Sequence, residues 1–234
     1  MMRGTQAFLA GALLAATVLA AGCASGAGYA QAQPTVPIAK RSFPKNAKTL
    51  VFGGGCFWCV EAIFEPLKGV LDVESGYAGG ESPNVSYEEV SMGYTGHAEV
   101  VKVTYDPDAV SADDLLRIFF TTHDPTQLNR QGPDYGTQYR SVIFYSTPEE
   151  KTQAIKIRDE VVSAKLYPRR VVTTIEPLKN YTRAEEYHQD YFAKYERATP
   201  QQRATMNAGY CQNIVAPKVR KFREKYASKL RKDG

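Results

Sequence analysis

An α+β domain on a mixed sheet with flanking helices and long loops, of the ferredoxin-like or split βαβ type, is what the sequence predicts, and three observations lead there. Apolar runs of period two alternate with runs whose apolar residues recur every three or four positions. Long Gly- and Pro-rich connections, at 76–83 and 124–135, lie between them. Residues 47–234 contain no internal repeat or low-complexity stretch, and their length suits a single domain with its own core.

Taken in order, Lys48-Thr49-Leu50-Val51-Phe52 reads as a buried strand and Gly53-Gly54-Gly55 as a tight turn. Val60, Ile63, Phe64 and Leu67 then repeat at helical spacing, which puts Cys56 at a helix N-terminus. Further strands are expected over 70–77, 98–105, 139–145 and 171–176, and helices over 112–121, 148–164 and 215–230.

Residues 1–23 read as an export signal: one early charge, Arg3, precedes an apolar run from Ala7 to Ala21 that is too short and Ala-rich for a membrane span. Leu19-Ala20-Ala21-Gly22-Cys23 resembles a bacterial lipobox, with Cys23 as the lipidated residue; cleavage after Ala30 or Ala32 is the competing reading. Residues 24–46, rich in Ala, Gly, Gln and Pro, read as a flexible linker. Either processing route predicts an exported protein of a bacterial periplasm or cell envelope, touching the membrane only through an N-terminal lipid.

The net charge of +4 falls to +3 without Arg3. Lys218, Arg220, Lys221, Arg223 and Lys225 read as a solvated helix face, so no nucleic-acid partner is expected.

Without Cys23, three cysteines remain: Cys56, Cys59 and Cys211. An odd count leaves at least one thiol outside any static disulfide, and thiol exchange is the natural chemistry; a fixed disulfide with one idle thiol is the plain alternative. At a helix N-terminus Cys56 is expected to have a lowered pKa and to serve as a nucleophile. In the strand 98–105, Glu99 shares a face with Val101, Val103 and Tyr105. Desolvation there would raise its pKa and let it act as a general acid, whereas a strand-end glutamate reaching solvent would not. Tyr87 and Tyr139 are placed to donate to a developing oxyanion, or simply to pack.

Gly55-Cys56-Phe57-Trp58, Tyr87-Glu88-Glu89-Val90, Thr95-Gly96-His97-Ala98-Glu99, His123-Asp124-Pro125-Thr126, the run 131–141 and Glu186-Tyr187-His188-Gln189 occur in that order. Together they resemble the peptide methionine sulfoxide reductase A family, over residues 50 to about 195. The resemblance implies that Cys56 attacks the sulfoxide sulfur, with Phe57 and Trp58 holding the S-methyl group. Tyr87, Tyr139 and Glu99 would bind the sulfoxide oxygen, Glu99 would protonate it, and Asp134 would shape the polar rim. Cys56 would become a sulfenic acid, then a disulfide that a thioredoxin-type reductant reopens. The S epimer would be the substrate, free or in oxidised proteins, with no metal or organic cofactor and a monomeric enzyme.

One departure stands at Cys59, where the family usually has glycine. Two resolving thiols are thus available, and Cys211 is expected to attack first, from a mobile tail, with Cys59 relaying the disulfide. A thioredoxin-like thiol-disulfide oxidoreductase of the envelope is the rival class: it accounts for Cys56-x-x-Cys59 but not for Glu99 or the tyrosines. A zinc site from Cys56, Cys59, Cys211 and His188 has only one pair at metal-like spacing. A noncatalytic envelope lipoprotein would account for the N-terminus alone.

Overall fold

The computed structural model describes residues 42–232, so the signal, Cys23 and most of the linker lie outside it. Strand β1 (Lys48–Gly54) runs through the turn at Gly55 into helix α1 (Phe57–Phe64), which returns to β2 (Val70–Ala78). A short helix α2 (Tyr87–Ser91) precedes β3 (Ala98–Tyr105), and α3 (Ala112–Thr122) follows it. The hairpin β4 (Arg130–Gln131) and β5 (Asp134–Tyr135) then leads into β6 (Ser141–Tyr145) and α4 (Pro148–Ser163).

After α4 come two edge strands, β7 (Thr174–Pro177) and β8 (Thr182–Arg183). The C-terminal arm carries α5 (Tyr191–Arg197), α6 (Pro200–Arg203), α7 (Ala208–Tyr210), a π-helical turn at Cys211–Val215, and α8 (Ala216–Lys225).

The main sheet has the order β7-β6-β1-β3-β2-β8, with β6 and β7 parallel and the other neighbours antiparallel. Its inner four strands, β6-β1-β3-β2, are the ferredoxin-like arrangement: α1 links β1 to β2, and β3 inserts antiparallel between them. The mixed α+β architecture read from the sequence is the one observed, and a split βαβ unit sets its centre.

The strand alternation decides what each face covers. Leu50, Phe52, Val101 and Val103 point to the helical side, while Val51, Val100, Val142 and Phe144 point to the other, under Leu178 and Tyr181. The Phe52 ring lies 4.8 Å from Phe64 and 4.7 Å from Phe119, joining β1 to α1 and α3. Burying each such ring contributes about 2–3 kcal/mol, which locks the start of α1 against the sheet.

A second apolar cluster attaches the C-terminal arm: Cys59 and Ala62 of α1 meet Phe192 and Tyr195 of α5, Cys211, Val215 and Val219. Backbone bonds from Lys68 to Lys229 and from Arg231 to Pro66 (2.9 Å each) pin the far end of that arm beside α1. Among the described residues, no helix is long and apolar enough to cross a membrane.

Some boundaries differ from expectation. Tyr139 closes a 3-10 turn (Thr137–Tyr139) rather than opening a strand, and β6 begins at Ser141. The last long helix ends at Lys225 and passes into a 3-10 turn at Ala227–Lys229. Helix α2, absent from the sequence reading, is set by a capping box: Ser86 Oγ accepts from the Glu89 N–H, and the Glu89 carboxylate accepts from the Ser86 N–H.

Candidate active site

Two glycines make the turn into α1 possible. Gly55 has φ +96°, and a Cβ there would lie 2.6 Å from the Gln131 side chain, while one on Gly53 would lie 2.6 Å from the Glu99 carbonyl oxygen. The hairpin and β3 therefore approach the backbone next to Cys56 more closely than any side chain would allow.

Cys56 is the N-cap of α1, with φ −53° and ψ 125° and no side-chain cap of its own. The capping group comes from the neighbouring strand: Glu99 Oε2 accepts the Phe57 N–H at 3.0 Å. Glu99 is 3% exposed, on the core face that the alternation predicts. Burial pushes its carboxyl up to about 8, against the pull of the Phe57 N–H, with Asp134 and Cys59 raising it further. Glu99 therefore carries a proton at pH 7.

Cys56 itself departs from expectation. Burial, the hydrogen bond to Cys59 and the nearby Glu99 hold its thiol well above the ordinary range. The physical reason is that the first free N–H of α1 is already taken by Glu99, and the sulfur is desolvated. Cys59 moves the other way: the Cys56 thiol donates to it, lowering its pKa despite burial, and Lys218 adds to the effect.

Tyr87 opens α2 and Tyr139 ends the turn before β6, so two separate segments bring phenols to one centre. Burial raises both hydroxyls, and the charges of Glu99 and Cys56 raise both further, so the four groups meet at one site near enough to feel one another's charge. Protonated phenols and a protonated carboxyl make that point a cluster of neutral donors. It is suited to an oxygen that gains negative charge. Asp134, raised by burial, borders it and accepts from the Tyr210 hydroxyl at 2.7 Å.

Beside the donors stands an aromatic wall. Phe57, 1% exposed, lies between Tyr77 (5.8 Å) and His188 (4.9 Å). Trp58 stacks on Tyr191 at 3.8 Å and 5° between planes, meets Tyr210 edge-on at 5.9 Å, and donates from Nε1 to His188 Nδ1 at 3.1 Å. Burial lowers His188 to about 4, so it is a neutral ring accepting at Nδ1. Glu185 supports this wall by accepting from the Tyr77 hydroxyl (2.8 Å) and the Tyr87 N–H (2.9 Å).

The structure thus gathers Cys56, Glu99, Tyr87, Tyr139, Asp134, Phe57, Trp58 and Cys59. Cys211 is not among them: it is fully buried in the second cluster with Cys59, and burial pushes it up to about 11. The tail expected to swing is tied down in this geometry, through Tyr210 to Asp134 and through the Asn207 N–H to the Tyr191 hydroxyl (2.8 Å). Cys59 therefore borders both other thiols.

The sequence reading missed Tyr191 and Tyr210, and it weighed His188 only as a metal ligand. Tyr210 adjoins Cys211, and His188 and Tyr191 lie three residues apart; their polar-aromatic character was visible but gave no sign of meeting Trp58. Among the described residues, no group of three His, Cys, Asp or Glu side chains is arranged to hold a metal ion.

A cysteine at a helix N-cap, a protonated carboxyl and two phenols around one point, and an apolar wall define a thiol-dependent reductase of a small polar oxide. The family model described as peptide methionine sulfoxide reductase matches residues 48–230, and this chain belongs to that family. The peptide methionine sulfoxide reductase MsrA of Nautilia profundicola is 54% identical over 74% of this chain and 92% of its own length. That of Deinococcus radiodurans is 48% identical over 77% and 83%. Methionine sulfoxide reductase A of Corynebacterium diphtheriae superimposes with a TM-score of 0.60 at 37% identity, over 67% of this chain and 78% of that one. Reduced Mxr1 of Saccharomyces cerevisiae gives 0.62 at 36%, over 68% and 91%.

Proposed function

We propose that this protein reduces the S epimer of methionine sulfoxide, free or within oxidised proteins, by nucleophilic attack of Cys56. The observation that carries the mechanism is the contact of Glu99 Oε2 with the Phe57 N–H, which fixes a protonated carboxyl at the first turn of α1 beside the thiol. The methyl group lies against Phe57 and Trp58, and the oxygen faces Tyr87, Tyr139 and Glu99.

As the Cys56 sulfur bonds to the sulfoxide sulfur, Glu99 gives its proton to the oxygen and its carboxylate takes the proton leaving Cys56. The protonated oxygen then bonds to the Cys56 sulfur while both its bond to the substrate sulfur and the bond between the two sulfurs break, which releases methionine and leaves Cys56 as a sulfenic acid. Cys59 then attacks the sulfenic sulfur, expelling the oxygen as water and closing a Cys56–Cys59 disulfide. Attack by Cys211 on Cys59 frees Cys56 and leaves a Cys59–Cys211 disulfide. A thioredoxin-type dithiol reduces it and is itself oxidised. Support for this order is the Cys56–Cys59 hydrogen bond and the packing of Cys211 against Cys59 rather than Cys56.

Turnover of each pure epimer with thioredoxin and its reductase tests the reading. Consumption of the S epimer alone is expected; consumption of the R epimer alone, or of neither, overturns it. The export signal, acylation of Cys23, an envelope location and a monomeric enzyme belong to the same proposal, supported by the sequence of residues 1–46 and by apolar clusters that close within one chain. Labelled palmitate incorporated by the full chain but not by Cys23→Ala is the check on acylation.

A further inference from the structure

A buried carboxyl outside the reacting centre sits behind the aromatic wall. Glu61, on α1 one turn beyond Trp58, is 1% exposed. Its Oε1 accepts from Ser75 Oγ on β2 at 3.1 Å, and its Oε2 accepts the Tyr191 N–H at 3.2 Å. The Asp190 N–H reaches it too. Asp190 and Tyr191 are the N-cap and first residue of α5, and Asp190, in the left-handed region at φ 50° and ψ 30°, provides no side-chain cap. Glu61 supplies from α1 the acceptor that α5 lacks locally.

Around Glu61 the frame is rigid. Gln189 clamps the Ser75 backbone from both sides, accepting its N–H and donating to its carbonyl at 2.9 Å each, and also donates to the Ala184 carbonyl at 2.8 Å. What Glu61 fixes is therefore the position of Tyr191 relative to α1. Tyr191 is the ring that stacks on Trp58, and its hydroxyl accepts the Asn207 N–H of the segment carrying Tyr210 and Cys211.

We propose that Glu61 is a positioning residue for the sulfoxide site: by holding the first turn of α5, it keeps Tyr191 flat on Trp58 and so sets the width of the methyl pocket. The proposal rests on the reading of that pocket given above. Glu61 touches no reacting group, and the mechanism assigns it no proton; a position that only filled space would be served by an apolar side chain. Its effect runs through Tyr191, so the two residues act as one unit.

A double-mutant cycle separates this from general damage. Trp58 is the only tryptophan in the chain, so its emission reports on this site alone. Glu61→Ala is expected to raise KM for the free sulfoxide about tenfold with kcat within about threefold of wild type, and to roughly double acrylamide quenching of Trp58. Tyr191→Ala should reproduce both changes, and the double variant should add nothing to Tyr191→Ala. Glu61→Gln keeps an oxygen for the Tyr191 N–H and should rescue KM and quenching to within about twofold of wild type.

Additive effects in the double variant, or unchanged KM and quenching in folded Glu61→Ala, overturn the proposal. If the alanine variant does not fold, Glu61→Gln decides: a KM raised beyond about threefold, with Trp58 quenching unchanged, refutes the hydrogen-bonded route. Quenching needs no turnover, so it tests the placement of Tyr191 even if the enzyme acts on another oxide.

Discussion

Replacing Glu99 with Gln keeps the side-chain shape and an acceptor for the Phe57 N–H but removes the proton that the sulfoxide oxygen receives. With its carboxyl pushed up to about 8, Glu99 is about nine-tenths protonated at pH 7 and about one-tenth protonated at pH 9. General-acid groups contribute typically ~10²–10⁴ in rate, and the tyrosine hydroxyls still bind the oxygen in the variant, so the expected loss at pH 7 is about tenfold to a thousandfold. The assay is rapid-quench single turnover of methionine sulfoxide, followed as methionine formed per enzyme from pH 6 to 9.

The sign of the pH effect follows from the acid form being the active one. The ratio of wild-type to Glu99→Gln rates should be constant below about pH 7 and fall about tenfold per pH unit above about 8. Because Glu99 also holds the Cys56 thiol up, the thiol is titrated separately in each protein and its ionisation is divided out of the ratio. An equal rate at pH 7, or a ratio that does not change with pH, would refute the assignment of the acid to Glu99.

Three other outcomes are expected. In substrate-oxidised Cys211→Ser, mass spectrometry should find a Cys56–Cys59 disulfide with thioredoxin recycling slowed; a Cys56–Cys211 disulfide formed at the wild-type rate in Cys59→Ser would reverse the proposed order. Tyr210→Phe, which loses the bond to Asp134, should increase the reactivity of Cys211 toward a thiol reagent severalfold, and unchanged labelling would show that the arm is held elsewhere. Glu61 and Glu99 are both pushed up to about 8 from an ordinary 4.5, so the stability they contribute is full below about pH 4.5, declines as pH rises and is gone above about 8. Urea unfolding from pH 5 to 8 should show that decline, flattened in Glu61→Gln and Glu99→Gln; a rise in stability over the same range from these two sites would contradict the burial account.

How much of this could be read from residues alone depends on distance along the chain. The period-two strand 98–105 placed Glu99 on the core face because alternation is a local rule, and the glycine turn before Cys56 placed the thiol on a helix N-cap for the same reason. The pKa of Cys56 was misjudged because the group that satisfies the helix N-terminus, Glu99, comes from a strand 43 positions away and enters by tertiary pairing. Tyr191 and Tyr210 were invisible as site residues because they reach Trp58 from an arm of short helices, whose caps and π turn leave little periodic signal. The nearness of Cys211 to Cys59 likewise turns on packing: the two share a buried cluster, which no spacing in the sequence expresses.

Trapping the oxidised thiol is the most direct measurement of the central claim, that Cys56 takes the oxygen from the sulfoxide. A Cys59→Ser/Cys211→Ser variant mixed with excess methionine S-sulfoxide and dimedone should release one methionine per chain and carry a single dimedone adduct, on Cys56. Methionine released by Cys56→Ser at a rate approaching wild type, or an adduct absent from Cys56 after one turnover, would contradict it.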